Sequence, residues 1–372
     1  MKKKVLAILS FPAPYRVGVF AELVKYYDID VFFVHNSDEE RSSEYYCKSG
    51  QLQFYLLNSI KGRMKYYNCL RKIYKYEYVI PYDAISRYAR YAIYLCKLFG
   101  IPYFINCDGA ILKRNVLRDC VKRILFKDAA ACFASGKSAF EYFKYYGVPK
   151  NRIYIHNFTS LTAHDILSKP FNNCEKETLR NKLDIPNCQL VLAIGQFIHR
   201  KGFDILLKAW KKICHPATLL LIGGGGERSM YERLIQEFHF NNVIIHDFMP
   251  KQEIYRYYQA ADIFVLPTRE DIWGLVVNEA MAQGLPVITT DNCVAGVELI
   301  ENGVNGYVVK TGSESELAEK INTLLEQPEL VACMAENNVR KMTGWTMENV
   351  ALRHREVIEK ALLPWERKTG NG

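Results

Sequence analysis

Strand-like apolar runs alternate with helical periods from one end of this chain to the other. That alternation restricts it to doubly wound α/β architecture. Runs at 5–10, 29–34, 78–80, 103–106, 131–134 and 152–156 read as strands of a first half, with helices at 17–26, 85–98 and 116–126 among them. A second set starts at 190–194 and continues at 218–222, 243–246, 263–266, 286–289 and 306–309. Between the sets, residues 169–187 (KPFNNCEKETLRNKLDIPN) carry two prolines and mixed charge, which reads as a link. Two Rossmann-like domains are therefore expected, over 1–170 and 185–346, followed by a long helix of alternating charge from 347.

A chain of 372 residues is long enough for two such cores, and 49% hydrophobic with 24% charged residues fits a globular protein. No window supplies the ~20 consecutive apolar residues of a membrane span. The opening MKKKVLAILSFPAPYR resembles a signal peptide, but its apolar run is short and prolines follow at once, so it reads as a first buried strand. Eleven cysteines, scattered from Cys47 to Cys333 with no C-x-x-C pair, point to reduced thiols in a cytosol and not to disulfides or zinc.

Charge is unevenly spread. Residues 1–165 hold 26 Lys/Arg against 14 Asp/Glu, and the remainder 23 against 26. A basic first half suggests an anionic partner. Arg114, Arg118 and Lys122 recur every four residues and would share a helix face. Lys61, Arg63, Lys65, Arg71, Lys72 and Lys75 are interleaved with Tyr66, Tyr67, Tyr74 and Tyr76, a mixture suited to a membrane–water interface. Peripheral contact with an anionic membrane is expected, and no nucleic-acid partner.

The stretch 267–286, PTREDIWGLVVNEAMAQGLP, reads as strand end, loop, helix and turn. A helix opening near Gly274 offers backbone N–H groups and a partial positive charge to a diphosphate. Asp271 in the loop and Glu279 on the helix bracket that opening and can accept hydrogen bonds from sugar hydroxyls. Together these are the requirements of a nucleotide-sugar site. The stretch resembles the acidic-x7-acidic motif of the family-four retaining glycosyltransferases, with Asp271 and Glu279 in the two acidic places.

Other segments extend the resemblance. The strand at 190–194 runs into GQFIHRKG, similar to the family's G-R-x4-K-G motif, with Gly195 and Lys201 in place and Gln196 where the family has arginine. Arg200 and Lys201 can neutralise a diphosphate at a strand's carboxyl edge. The glycine run 223–226 before Glu227 looks like the family's G-x-G-x-E turn, which borders the nucleotide at Gly224. The segment at 246–251 resembles the one that holds the base, placing Phe248 and Met249 beside it. Trp273, Gly274 and Leu275 fall within the donor motif.

In the first half, a strand ends at Asp108, where many members have a histidine that contacts the donor sugar. Tyr15, Arg16 and Gly18 lie in a loop that the family often places near phosphate or acceptor. Asp28-Ile29-Asp30 has the D-x-D form of a different, metal-binding architecture, but opens a strand far from the donor motifs and reads as strand-edge charge. His156, His164, His199 and His246 lack metal-ligand spacing.

The resemblance implies the GT-B fold: donor nucleotide on the second domain, acceptor on the first, the active site in the cleft, and the C-terminal helix 347–372 packing back on the first domain. It implies metal-independent transfer, needing no cofactor, from a nucleotide-sugar such as a UDP-sugar with retention of configuration. Asp108, Asp271, Lys201 and Arg200 would carry the catalysis. The basic, tyrosine-rich half points to a saccharide or lipid-pyrophosphate-linked acceptor at the inner membrane face, as in bacterial surface polysaccharide assembly. Two alternatives remain at this point: a nucleotide-sugar epimerase of the same fold, and a non-catalytic nucleotide-sugar-binding subunit.

Overall fold

The computed structural model describes residues 2–36, 52–82, 86–110 and 115–369, with side chains through 363. Arg114 and Cys47 fall outside the described residues. The chain divides into two compact units, Met1–Ser160 with Trp345–Gly372, and Leu161–Gly344.

The first unit runs β1 (Lys4–Leu9), α1 (Pro14–Leu23), β2 (Asp28–Phe33), β3 (Tyr55–Leu56), α2 (Ile60–Arg71), β4 (Tyr78–Pro81), α3 (Arg87–Phe99), β5 (Phe104–Cys107), α4 (Val116–Phe126), β6 (Ala131–Ala134), α5 (Lys137–Tyr145) and β7 (Ile153–Ile155). Its strands are parallel, in the orders β3-β2-β1-β4 and β5-β6-β7, and a bridge between Val79 and Tyr103 joins the two sets. Side chains alternate across the sheet, as strand geometry requires. Leu6 and Ile8 point into a core shared with α2, α3, α4 and α5. Val5, Ala7 and Leu9 point the other way, towards α1 and a helix from the far end of the chain.

The second unit runs α6 (Asn173–Lys182), β8 (Gln189–Ile194), α7 (Phe203–Trp210), β9 (Ala217–Ile222), α8 (Arg228–Glu237), β10 (Val243–His246), α9 (Lys251–Ala260), β11 (Ile263–Leu266), α10 (Leu275–Ala282), β12 (Val287–Thr290), α11 (Val294–Leu299), β13 (Gly306–Val309), α12 (Glu314–Glu326) and α13 (Pro328–Met342). Its six parallel strands take the order β10-β9-β8-β11-β12-β13. The returning helix, α14 (Met347–Thr369), belongs to the first unit, where Val350, Ala351, Val357 and Ile358 pack with Val17 and Phe20 of α1.

Three local differences from the sequence reading have plain causes. Helix α1 starts at Pro14, a residue pre-set for a first helical position. Strand β3 has two residues, too few to show a period. The polar stretch 169–187 contains α6, opened by a capping box in which Asn172 accepts from the Glu175 N–H and Glu175 from the Asn172 N–H. Its charges are not a solvated link, because Lys176 and Arg180 both pair with Asp262, at 3.0 and 2.6 Å.

Candidate functional site

Parallel sheets of this order bind ligands outside the carboxyl ends of the strands, where the winding reverses direction. In the second unit that point lies between β8 and β11. The loops leaving these strands stand side by side. The Arg200 carbonyl accepts hydrogen bonds from Thr268 Oγ1 (2.9 Å) and the Arg269 N–H (2.8 Å). Gly202 permits the approach: its φ is +70°, and a Cβ there would fall 2.2 Å from the Pro267 carbonyl oxygen.

Across this seam Lys201 Nζ meets Asp271 Oδ2 at 2.5 Å, and Arg200 Nη1 lies 3.8 Å from the other carboxylate oxygen. Arg200 also donates to the Glu270 carbonyl at 3.2 Å. Asp271 is 8% exposed, and its backbone is held by Asn292 and Val294. Three residues expected in the site therefore form one charged cluster at the switch point. A buried pair of this kind depends on both partners, since removing one strands the other's charge.

Helix α10 starts beside this cluster. Gly274 opens it at a φ of +97°, where a Cβ would meet Cys293 Sγ at 2.8 Å. No side chain caps this end, and the first turn, beginning at Leu275, contains no acid. Such an end offers N–H groups to an anion. Trp273 differs from expectation as a donor contact. Its indole is 4% exposed and donates to Asn278 Oδ1 at 2.8 Å, while its carbonyl accepts the Ala295 N–H. It clamps the start of α10 to α11. Glu279, a turn further along, is half-buried and accepts from Tyr258 OH at 3.3 Å. Burial and the Glu279 charge push the Tyr258 phenol well above its ordinary value, so it remains a donor.

The glycine loop after β9 packs against the loop after β8. A Cβ on Gly223 would stand 1.9 Å from the Gly195 carbonyl oxygen, and one on Gly225 would stand 2.6 Å from that of Phe197. Those glycines serve the packing. Gly224 does not: its Cβ would have Phe248 Cβ as nearest neighbour, at 3.9 Å. Its open α-carbon lies next to a phenylalanine that is 55% exposed, with half-buried Met249 following. Gln196 is half-buried beside Gly195, and its carbonyl accepts the Ile198 N–H.

Sequence reasoning missed Arg269 and Asp204, which pair through two hydrogen bonds of 2.8 and 2.7 Å and tie the β11 loop to α7. Burial opposes ionisation of Asp204, yet Arg269 holds its carboxyl below the usual range. The adjacent acidic and basic residues of T-R-E-D gave no spacing signal for this pair.

The first unit has its own switch point, between β1 and β4. There Asp108 Oδ2 accepts from Tyr15 OH (3.1 Å), Arg16 Nε (3.1 Å) and Arg16 Nη2 (2.9 Å). Oδ1 accepts from Tyr82 OH (2.7 Å) and Asn106 Nδ2 (3.0 Å). The Arg16 guanidinium is 4.5 Å from the Phe11 ring centre and 5.2 Å from that of Tyr82. Behind Asn106 lies His354 of α14, whose Nε2 is 3.0 Å from Asn106 Oδ1. Tyr82, Asn106 and His354 carried no sequence signal, since each is a single polar residue at a strand end or within an amphipathic helix. Gly18 takes no part in this cluster: a Cβ on it would lie 2.4 Å from Met347 Sδ, so it is the contact at which α1 meets α14. Asp30 is held by Tyr76 OH at 2.6 Å and neighboured by Lys4 and Lys65. Among the described residues no three His, Cys, Asp or Glu side chains group as metal ligands would.

Residues 175–341 match the family model described as glycosyl transferases group 1. An uncharacterised glycosyltransferase of Haemophilus influenzae is 30% identical over 176 residues, which are 46% of this chain and 49% of that protein. The Campylobacter jejuni N,N'-diacetylbacillosaminyl-diphospho-undecaprenol α-1,3-N-acetylgalactosaminyltransferase is 26% identical, covering 73% of this chain and 71% of its own. An uncharacterised 41.2 kDa protein from the cps region of Klebsiella pneumoniae is 24% identical over 82% of this chain and 87% of its own. Among solved structures, Anabaena Alr3699/HepE in complex with UDP superposes with a TM-score of 0.78 at 18% identity, over 96% of this chain and all of that one. That likeness identifies the fold as GT-B.

Proposed function

We propose that this chain is a glycosyltransferase like those of group 1, and that it moves a sugar from a UDP-sugar to a saccharide or lipid-linked saccharide, with retention of configuration and without a metal, in surface polysaccharide assembly. The observation that carries the proposal is the Lys201–Asp271–Arg200 cluster beside the uncapped start of α10. Two cations and a helix end can neutralise a leaving diphosphate, which is where charge develops as the glycosidic bond breaks. Asp271 holds sugar hydroxyls, and Glu279, steadied by Tyr258, holds the ribose. The base lies on Phe248 and Met249, with the open α-carbon of Gly224 close to the phosphates.

In the proposed reaction the bond from the sugar's anomeric carbon to the phosphate oxygen breaks. A bond to the acceptor hydroxyl forms on the same face. The hydroxyl proton passes to the departing phosphate oxygen. UDP leaves, and no protein nucleophile takes part.

UDP is the nucleotide we assign, in keeping with the ligand of the Anabaena neighbour. The diphospho-undecaprenol acceptor named for the Campylobacter relative supports a lipid-linked acceptor, which would bring this protein to the inner face of the membrane. The test is calorimetry with UDP. The wild type is expected to bind, and Lys201→Ala to lose roughly 1.5–3 kcal/mol of affinity, the range for a charged hydrogen bond. An unchanged dissociation constant removes Lys201 from the site. Equal loss of transfer and of hydrolysis with every nucleotide-sugar would leave the epimerase or binding-subunit alternatives.

A further inference from the structure

Helix α4 turns Asp119 and Lys122 towards the neighbouring helix α5. Asp119 is buried and accepts from Tyr146 OH (2.9 Å) and Tyr145 OH (3.3 Å). Lys122 lies 5.0 Å from the ring centres of both Tyr142 and Tyr146. So Lys122 does not share an outward basic face with Arg118, contrary to the sequence reading. The outward positions are apolar: Leu117 is 82% exposed, Ile124 64% and Val121 41%. Spaced i, i+4 and i+7, these three make one ridge along the helix. Arg118 and Arg123 stand on its two flanks, both exposed.

The neighbouring helices continue this surface. Lys97 of α3 donates to the Ile124 carbonyl and pairs with Asp128 at 2.8 Å, which joins the ends of α3 and α4. Helix α3 exposes Tyr94, Leu98 and Phe99, and α2 exposes Ile60, Met64 and Tyr67. All three helices cover the same face of the sheet. Their sequences, IKGRMKYYNCLR, RYARYAIYLCKLF and VLRDCVKRILF, contain a single carboxylate, the buried Asp119. A surface that is apolar at its ridge and cationic around it, with no exposed acid on these helices, matches a layer with phosphate outside and hydrocarbon inside.

We propose that α4 is an interfacial helix that inserts Leu117, Val121 and Ile124 into an anionic leaflet, with α2 and α3 resting on the headgroups. This deepens the reading of a lipid-linked acceptor and rests on it for its purpose. It also changes the expected physics. Charge alone would release as salt rises, because screening acts within about 10 Å at 0.1 M, whereas an inserted ridge persists.

The test is flotation of the full chain with phosphatidylcholine vesicles, with and without phosphatidylglycerol, at about 0.1 and about 0.5 M salt. The wild type is expected to float with anionic vesicles at both salts. The double variant Leu117→Ser, Ile124→Ser is expected to float only at low salt, its partition coefficient at high salt falling about tenfold or more. Its melting temperature and UDP affinity are expected to stay unchanged, because both side chains are exposed and lie outside the donor-binding unit. High-salt flotation equal to the wild type's overturns the insertion. So does absence of flotation with any vesicle, including the case in which a dimer abolished by the double variant shows that the ridge meets a second copy. Loss of UDP binding in the wild type would instead sink the proposed function and leave the flotation result standing.

Discussion

The two units reverse their winding in the same way, yet their switch points are furnished differently. In the second unit, Lys201 and Asp271 face each other beside an uncapped helix end, an open glycine and an exposed phenylalanine. In the first, both oxygens of Asp108 are occupied by donors from Tyr15, Arg16, Tyr82 and Asn106. A carboxylate offers about four lone-pair sites, and this one receives five hydrogen bonds. The same topology therefore carries an uncapped helix end beside an ion pair at one switch point, and a carboxylate saturated with donors at the other. Asp108 holds Arg16, which is 5% exposed, in place. We read its part in any transfer as positioning.

Removing Asp108 is the strongest way to break this comparison. Asp108→Ala leaves the Arg16 charge buried without its carboxylate, and is expected to cost about 3–5 kcal/mol of stability in urea denaturation. UDP affinity should not change. A variant as stable as the wild type would mean that the first switch point is as open as the second.

The histidine behind that cluster comes next. Burial pulls His354 to about 4, against opposing effects of the Val350 carbonyl and Asp108. Burial and His354 likewise lower the neighbouring His156. The folded state then binds fewer protons than the unfolded state between the ordinary histidine range and pH 4. Stability from this source is complete above about pH 6.5 and declines as pH falls, by up to roughly 3 kcal/mol. His354→Gln should flatten part of that slope in denaturation curves taken at several pH values. An identical slope assigns the acid sensitivity elsewhere.

The second switch point is sharpened by separating its acids. Asp271→Asn should lower transfer about a hundredfold while changing UDP affinity little, if its partner is the sugar as proposed. Glu279→Gln should weaken UDP itself about tenfold, if its partner is the ribose as proposed. Equal loss of UDP affinity in both variants, with no further fall in transfer, would dissolve this division. The smallest effects are expected from metal. Turnover should be unchanged in EDTA, and Asp28→Asn near neutral, as Asp28 is exposed at the start of β2. Activity lost in EDTA and restored by magnesium or manganese would require a different mechanism.

The places of the motif loops were legible in the chain because their parts are local. Gly195 to Gly202, Gly223 to Glu227 and Asp271 to Glu279 each follow a strand within a few residues, so period and spacing locate them. The direction of the Trp273 indole was not legible, because a motif position does not say which way a side chain points. Its N–H turned to Asn278, five residues on. The inward face of α4 was misread for a similar reason. Periodicity identifies the apolar side, and the side with Leu117 and Ile124 would ordinarily be buried.

The sequence by itself determined the alternation of strands and helices, the two sheets that follow from it and the loops that carry the donor motifs, because these depend on period and on residues close in the chain. Only the tertiary structure decided that Asp108 is enclosed, that His354 of the last helix stands behind Asn106, that Arg269 is tied to Asp204 and that α4 faces outward. Each of these depends on which groups meet across long separations, and on whether burial there is offset by a partner. That balance exists only once the chain has closed on itself.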